Sequence, residues 1–345
     1  MALSSDKGLP GLSGAYRLRW KRRRFLFRIW RKRHEITSIV DRTSDIRRDS
    51  ILLFSTVRNE ALRLPFFLAY YRKLGVTHFF FVDNESSDGT AEFLRQQPDV
   101  SLWHSAHSYR LSRFGMDWLG WLLWQFGHGH WCLTVDADEL LVYPDCEARD
   151  LRNLTSWLDT KQRSSFGAVM VDLYPKGPLG GSSYRAGDDP TETLSWFDQG
   201  NYRSSIHAYY GNTWIQGGVR ERVFFSDQPE RSPTLNKTPL VRWNRRYTYV
   251  SSTHQMLPRH LHDSFDLEGK TKASGALLHT KFLPIIAEKS AEELERKQHF
   301  QNTTLYQDYH RRLASGITLW HKDAAYYDGP QKLVECGLMS KGDWV

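Results

Sequence analysis

Between Ile51 and Gln97 the chain runs twice through one plan, an apolar strand that breaks into polar residues and is followed by an apolar helix. No other feature constrains the fold as much. The first unit joins "ILLFSTVRNE" to "LPFFLAYYRKLG", whose apolar residues recur at helical spacing, with Pro65 early in the helix and Gly75 just past its end. The second, "THFFFVDNESSDGTAEFLRQQ", predicts a strand through Val82, a polar turn at Asp88 and Gly89, and a helix from Thr90. Two βα units in so short a span predict a doubly wound, mostly parallel sheet. The pattern continues with a short strand "VSLWH", a long helix over 112–127 with Trp118, Leu119, Leu122, Leu123 and Phe126 on its apolar face, and strands at "HWCLTVD" and "FGAVMVDLYP". Residues 176–203, rich in Gly, Pro, Ser and Asp, read as a long loop, and 285–315 as a charged helix.

Composition bears mainly on the N-terminal part. The net charge of +8 invites a nucleic-acid reading, but Lys and Arg crowd into the first 50 residues and the rest is close to balanced. In "YRLRWKRRRFLFRIWRKRHE" (16–35) ten Lys and Arg alternate with Trp, Phe, Leu and Ile, the pattern of an interfacial helix on anionic lipid or of a solvated basic tail. No apolar stretch approaches the roughly 20 residues that span a bilayer, and no signal-peptide core stands at the start. Cys132, Cys146 and Cys336 have no CxxC or Cys/His spacing, which argues against a disulfide scaffold and a structural zinc site and fits a reducing cytoplasm. Asn153, Asn236 and Asn302 match the glycosylation tripeptide, without meaning unless the chain is secreted. The organisation expected is a basic segment (1–48), an α/β domain (49–285) and a helical extension (286–345).

One strand ends in a cluster of like charges. In "WCLTVDADELLVYP", Asp136, Asp138 and Glu139 follow an apolar run, at the edge where open α/β sheets bind ligands. A solvated turn with one capping Asp is the plain alternative. Strand alternation sets Asp136 and Asp138 on one side of the chain, about 6 to 7 Å apart, and turns Glu139 to the other face as a structural partner. Two facing carboxylates repel unless a cation sits between them, and a hard ion such as Mg or Mn suits oxygen ligands and phosphate.

With these motifs the chain resembles the family 2 glycosyltransferases, and within them a branch with an "RNE" strand end, a "DN-S-DGT" turn and a "D-DE" motif. Here they read "VRNEALRLPFFLAYYRKLGVTHFFFVDNESSDGT" and "LTVDADELLVYP", followed in order by "VMVDLYP", "FDQGNYR", "GGVRERVFF", "NKTPLVRW" and "GALLHTKFL". The resemblance covers about residues 50–285. It implies an α/β fold of GT-A type, doubly wound and mostly parallel with flanking helices. It also implies metal-dependent, inverting transfer of a sugar from a nucleotide-sugar, with a UDP-sugar as the expected donor and a glycan or glycolipid as acceptor.

Carried over residue by residue, the resemblance makes Asp83 the contact to the donor's base, with Arg58 and Glu60 beside it. Asp88 either touches the nucleoside or caps the following helix. Asp136 meets ribose or metal, Asp138 is the main metal ligand, and His279 closes the metal site, with His254 a second candidate for phosphate or acceptor. Arg220 and Arg222 would hold the donor phosphates. The base that deprotonates the acceptor is Glu221 or Asp198; the "ED" pair common in family 2 does not occur in this chain. Lys237 and Arg242 read as phosphate contacts or solvated bases, and Trp214 and Trp243 as sugar-stacking rings or core. Two other functions fit parts of the pattern: a nucleotidyl or phosphoryl transferase using Mg, and a non-catalytic nucleic-acid-binding protein. Absence of a P-loop weakens the first, and the position of the charge, ahead of the fold, weakens the second. No nucleic-acid partner is expected. The expected location is cytoplasmic, with a peripheral position at the inner face of the membrane if the basic segment binds lipid.

Overall fold

The computed structural model of the chain describes residues 11–265, 271–286, 311–313 and 315–344, so the helix expected over 285–315 falls largely outside them. After α1 (Leu12–Lys32) and an edge strand β1 (Thr37–Val40), the two expected units form as β2 (Ile51–Val57) with α2 (Leu64–Lys73) and β3 (His78–Asp83) with α3 (Thr90–Arg95). Then come β4 (Val100–His104), α4 (Met116–Phe126), β5 (Trp131–Thr134), β6 (Glu139–Val142), α5 (Leu151–Thr160) and β7 (Ser165–Asp172). Segment 176–203 has short structure of its own, one helical turn α6 (Pro190–Thr193) and β8 (Trp196–Phe197). The chain continues through β9 (Arg203–Ile206), β10 (Thr213–Gln216), α7 (Gly218–Phe224), β11 (Asn236–Arg242), β12 (Thr248–Ser251), β13 (Gln255–Leu257), β14 (Gly275–His279), β15 (Ala325–Tyr326) and α8 (Pro330–Glu335).

Nine strands form the main sheet, in the order β1-β4-β3-β2-β5-β11-β7-β14-β6. β4, β3, β2 and β5 are mutually parallel, as are β7 and β14, while β11 runs antiparallel between β5 and β7. Six of the nine strands therefore point the same way, and β1, β11 and β6 oppose them. The apolar runs of β2 and β3 are continuous because both faces are covered. Leu53, Phe79 and Phe81 pack with Phe67 of α2 and Leu154 of α5; their alternates Leu52, Phe54 and Phe80 pack with Trp118 and Leu122 of α4. Burying each such side chain stabilises the fold by roughly 1.5–3 kcal/mol. Helices on both faces of one mostly parallel sheet make this the doubly wound α/β architecture expected.

Two local expectations change. The helix expected from 112 begins at Met116, because Arg113, Phe114 and Gly115 all take positive φ (55°, 56° and 76°) and end the preceding turn. The acidic motif is a tight turn instead of extended strand: Glu139 N–H donates to the Asp136 carbonyl at 3.0 Å, and the chain doubles back into β6. Strand alternation therefore does not govern Asp136 and Asp138, which reach different partners.

Gly89 and Gly115 precede α3 and α4 with φ of 91° and 76°. A Cβ at Gly89 would meet nothing within 4 Å, whereas one at Gly115 would sit 2.4 Å from Thr56 Oγ1. Gly89→Ala is expected to cost about 1–2 kcal/mol, the left-handed penalty alone, and Gly115→Ala a further 1–3 kcal/mol or so for the clash. Urea midpoints compare the two; equal losses would contradict the close packing at Thr56.

Candidate active site

Parallel strands deliver their carboxyl ends to one edge of the sheet, where Asp83 and His279 end β3 and β14 and the turn with Asp136 and Asp138 follows β5. Val57 pairs with Asp83 across β2 and β3, so Arg58 and Glu60 follow directly beside Asp83. Asp83 is buried: His104 Nδ1 is 3.5 Å from its Oδ2 and Ser86 N–H donates to that oxygen at 3.3 Å, but its Oδ1 is buried with no hydrogen-bond partner. A buried carboxylate oxygen left unmatched is costly, and an N–H donor from a ligand would satisfy it. Arg58 donates to the Asn84 carbonyl at 2.8 Å, and Glu60 accepts from Arg63 at 2.9 Å. Asp88 is used within the loop, one oxygen receiving Thr90 N–H and hydroxyl (3.0 and 2.6 Å) and the other Ala61 N–H (3.0 Å).

Two strands across the sheet, the Asp136–Glu139 turn follows β5. Its charges are divided between two cationic partners. Lys237 of β11, itself buried, reaches Asp136 Oδ2 at 3.3 Å and forms a closer ion pair with Glu139. Burial works against the ammonium, but Glu139 and Asp136 overcome it and hold Lys237 charged. Asp138 turns instead to His279, whose Nε2 is 3.2 Å from Oδ2. Register explains the encounter: His279 at the end of β14 pairs with Glu139 of β6 on one side and Asp172 of β7 on the other. His279 Nδ1 is 2.5 Å from Asp172 Oδ1, and Arg220 donates to Asp172 Oδ2 at 2.8 Å. Burial raises both carboxyls, yet His279, followed by Arg63 and Lys281, brings Asp138 well below the usual range, and Arg220 with His279 brings Asp172 to about 2. His279 is drawn upward against burial by Asp138 and Asp172.

The remaining charged candidates stand in ion pairs. Arg220 is held by Asp172, and Arg222 by Asp198 with two bonds of 2.8 and 2.9 Å. Asp198 also accepts from Tyr174 at 2.5 Å and Asn201 at 3.3 Å. Glu221 pairs with Arg203 and accepts from Ser232 at 2.5 Å. His254 Nδ1 is 2.7 Å from the Asn236 carbonyl, and burial, followed by Lys237, pushes it down to about 3, so it stays neutral. Arg242 pairs with Asp159 at the other end of β11, away from the acidic turn. Trp243 is buried in the core against Tyr249, and Trp214 meets His207 at 5.5 Å.

Sequence reasoning missed two residues. Asp172 ends the apolar strand "FGAVMVD" and looks locally like any strand-terminal Asp; only its register with His279 gives it a role. Arg63 is buried, donates to Glu60 and at 3.3 Å to the Thr280 carbonyl, and keeps its Nε unpartnered. It thereby ties the end of β2 to the end of β14.

Among the described residues no three His, Cys, Asp or Glu side chains converge as a complete metal cage. A pair of protein ligands is the donor set that leaves room for substrate oxygens. No known family profile matches the chain, and no curated protein does. Among solved structures it is similar to a putative glucose-1-phosphate thymidylyltransferase from Bacillus anthracis (8% identity, 76% of this chain and 82% of that one, TM-score 0.29). It is also similar to a UTP-bound UGPase from Acinetobacter baumannii (10%, 76% and 98%, 0.30) and to a 4-diphosphocytidyl-2C-methyl-D-erythritol synthase (15%, 40% and 68%, 0.25).

Removing Lys237 leaves Glu139 buried and uncompensated, so Lys237→Met is expected to destabilise the protein by about 3–5 kcal/mol. Adding Glu139→Leu should restore most of that loss. Chemical denaturation of the single and double variants measures both; a Lys237→Met protein as stable as the parent would mean the pair is not buried.

Proposed function

We propose that the protein is a metal-dependent glycosyltransferase that uses a nucleotide-sugar, a UDP-sugar above all. The observation that carries this reading is the run Asp138–His279–Asp172 on the sheet edge that also bears the unmatched Asp83 oxygen. Asp138 Oδ2 and His279 Nε2 are 3.2 Å apart, an oxygen and a nitrogen that favour Mn over the all-oxygen preference of Mg, and Asp172 holds the far side of the imidazole as a second carboxylate does in many His-metal sites. When bound there, such an ion supplies Lewis acidity to a diphosphate and takes up the charge that develops on it. Everything else falls to the chain. Asp83 accepts the ring N–H of a uracil, with Arg58 and Glu60 framing that end of the donor. Lys237 keeps Asp136 and Glu139 in place and spares the turn its own repulsion. The acceptor hydroxyl, of a glycan or glycolipid, gives its proton to Glu221 in preference to Asp198, because Asp198 is buried under more donors.

Nucleotidyl transfer with Mg would draw on the same acidic turn and the same base contact, so the products decide between them. With Mn present, UDP is expected to stabilise the protein, by about 2.7 kcal/mol at a hundredfold excess over its dissociation constant. Asp138→Asn should remove that gain, and Asp83→Asn should weaken UDP affinity roughly 5- to 150-fold, the 1–3 kcal/mol of a lost buried hydrogen bond. A screen of nucleotide-sugars should release nucleoside diphosphate. Pyrophosphate formed instead from UTP and a sugar 1-phosphate would replace glycosyl transfer with nucleotidyl transfer, and failure of UDP and GDP alike to bind with metal would end both readings.

A further inference from the structure

α1 is amphipathic in an unusual sense: both of its faces are apolar, and only one is used by the fold. At 100° per residue, Leu18, Phe25 and Ile29 share the inward side. Leu18 and Ile29 are buried, and Ile29 lies so close to α4 that a Cβ on Gly120 would meet it at 2.7 Å. Arg28 fixes the crossing through Asp117 at 2.7 Å, and Arg113 stacks over Phe25 at 4.4 Å. The opposite side carries Tyr16, Trp20, Arg23, Phe27 and Trp30 within an arc of roughly 80°. Its rings are 61%, 49%, 59% and 48% exposed; Tyr16 meets Trp20 and Phe27 meets Trp30, and Arg23 and Arg33 lie over the Trp20 and Trp30 rings. Arg19 borders this row on one side and Arg24 and Arg31 on the other, and the helix has no Asp or Glu.

We propose that this outward face of α1 docks the protein on an anionic lipid surface, the four rings entering the interface and the flanking arginines meeting the headgroups. Charge complementarity selects the occupant. A nucleic-acid groove would set cations along the centre of the face, whereas four of the five central side chains here are aromatic, the residue type that sits at headgroup level. Among the described residues no helix is long and apolar enough to cross a membrane, so α1 would lie on the bilayer rather than span it. The inference is independent of the transfer reaction, since none of these residues belongs to the candidate site.

The test is co-sedimentation of the full chain with phosphatidylcholine vesicles containing one third phosphatidylglycerol, against pure phosphatidylcholine. Binding is expected to the anionic vesicles and to fall on the order of a hundredfold in an Arg19→Ser, Arg23→Ser, Arg24→Ser variant, near 1 kcal/mol for each charge. Trp20→Ser, Phe27→Ser, Trp30→Ser together should lower it about tenfold or more with the melting temperature little changed, because about half or more of each side chain already faces solvent. Should that variant melt lower, Phe27→Ser alone gives the same readout. Vesicle binding unaltered by the aromatic replacements, or tighter binding to an oligonucleotide than to the vesicles, would overturn the proposal.

Discussion

A single buried ammonium makes the acidic turn possible. Asp136, Asp138 and Glu139 fall within four residues of a buried strand end, and bare carboxylates there would repel one another and lose their hydration. Lys237 enters from β11, the strand that runs against its neighbours, and takes two of the three. Asp138 turns to His279 instead. The antiparallel strand is therefore more than a filler between β5 and β7. By reversing direction it brings Lys237, near its start, under the edge where the parallel strands end.

The same edge depends on register. A one-residue slip of β14 against β7 would turn His279 to the opposite face and away from Asp172. Glycine guards the pairing: at Gly275 a Cβ would meet the Val142 carbonyl oxygen at 2.6 Å and Phe166 at 2.8 Å, so the strand approaches its partners more closely than any side chain permits. Arg63 then joins this half of the sheet to the β2–β3 half through Glu60 and the Thr280 carbonyl. A ligand lying between Asp83 and Asp138 would thus meet groups whose spacing is set by backbone pairing and buried ion pairs, with long flexible side chains playing little part.

How much of this can be read from the sequence follows from the range of the physics involved. The units β2–α2 and β3–α3 are local, carried by apolar spacing, Pro65 and the glycines, and they form as read. The acidic strand end is equally visible, because charge after an apolar run is a local contradiction. What escaped is long-range. Nothing near "NKTPLVRW" says that Lys237 will lie beneath a turn about a hundred residues earlier, or that Arg242, five positions on, will serve Asp159 at the opposite edge. Asp172 and Arg63 look like any strand-end acid or loop base until topology places His279 and Thr280 beside them. Asp136–Glu139 forms a turn where alternation predicts extended strand, because two-residue alternation holds only while pairing continues, and β5 stops at Thr134.

The distribution of charge separates two parts of the molecule. Within the fold, buried or half-buried bases are matched by acids: Lys237 by Glu139, Arg220 by Asp172, Arg222 by Asp198 and Arg113 by Asp117. Desolvating an arginine or lysine without such a partner is too costly for a core to tolerate. The net charge of +8 therefore has to reside where water or a polyanionic surface can meet it, and α1 with its arginines and no acids is where much of it stands. Aromatic rings placed among those charges gain nothing from solvent. Their exposure is a standing cost unless another apolar phase receives them, and it is this cost, more than the charge itself, that marks the outer face of α1 as a surface awaiting an interface.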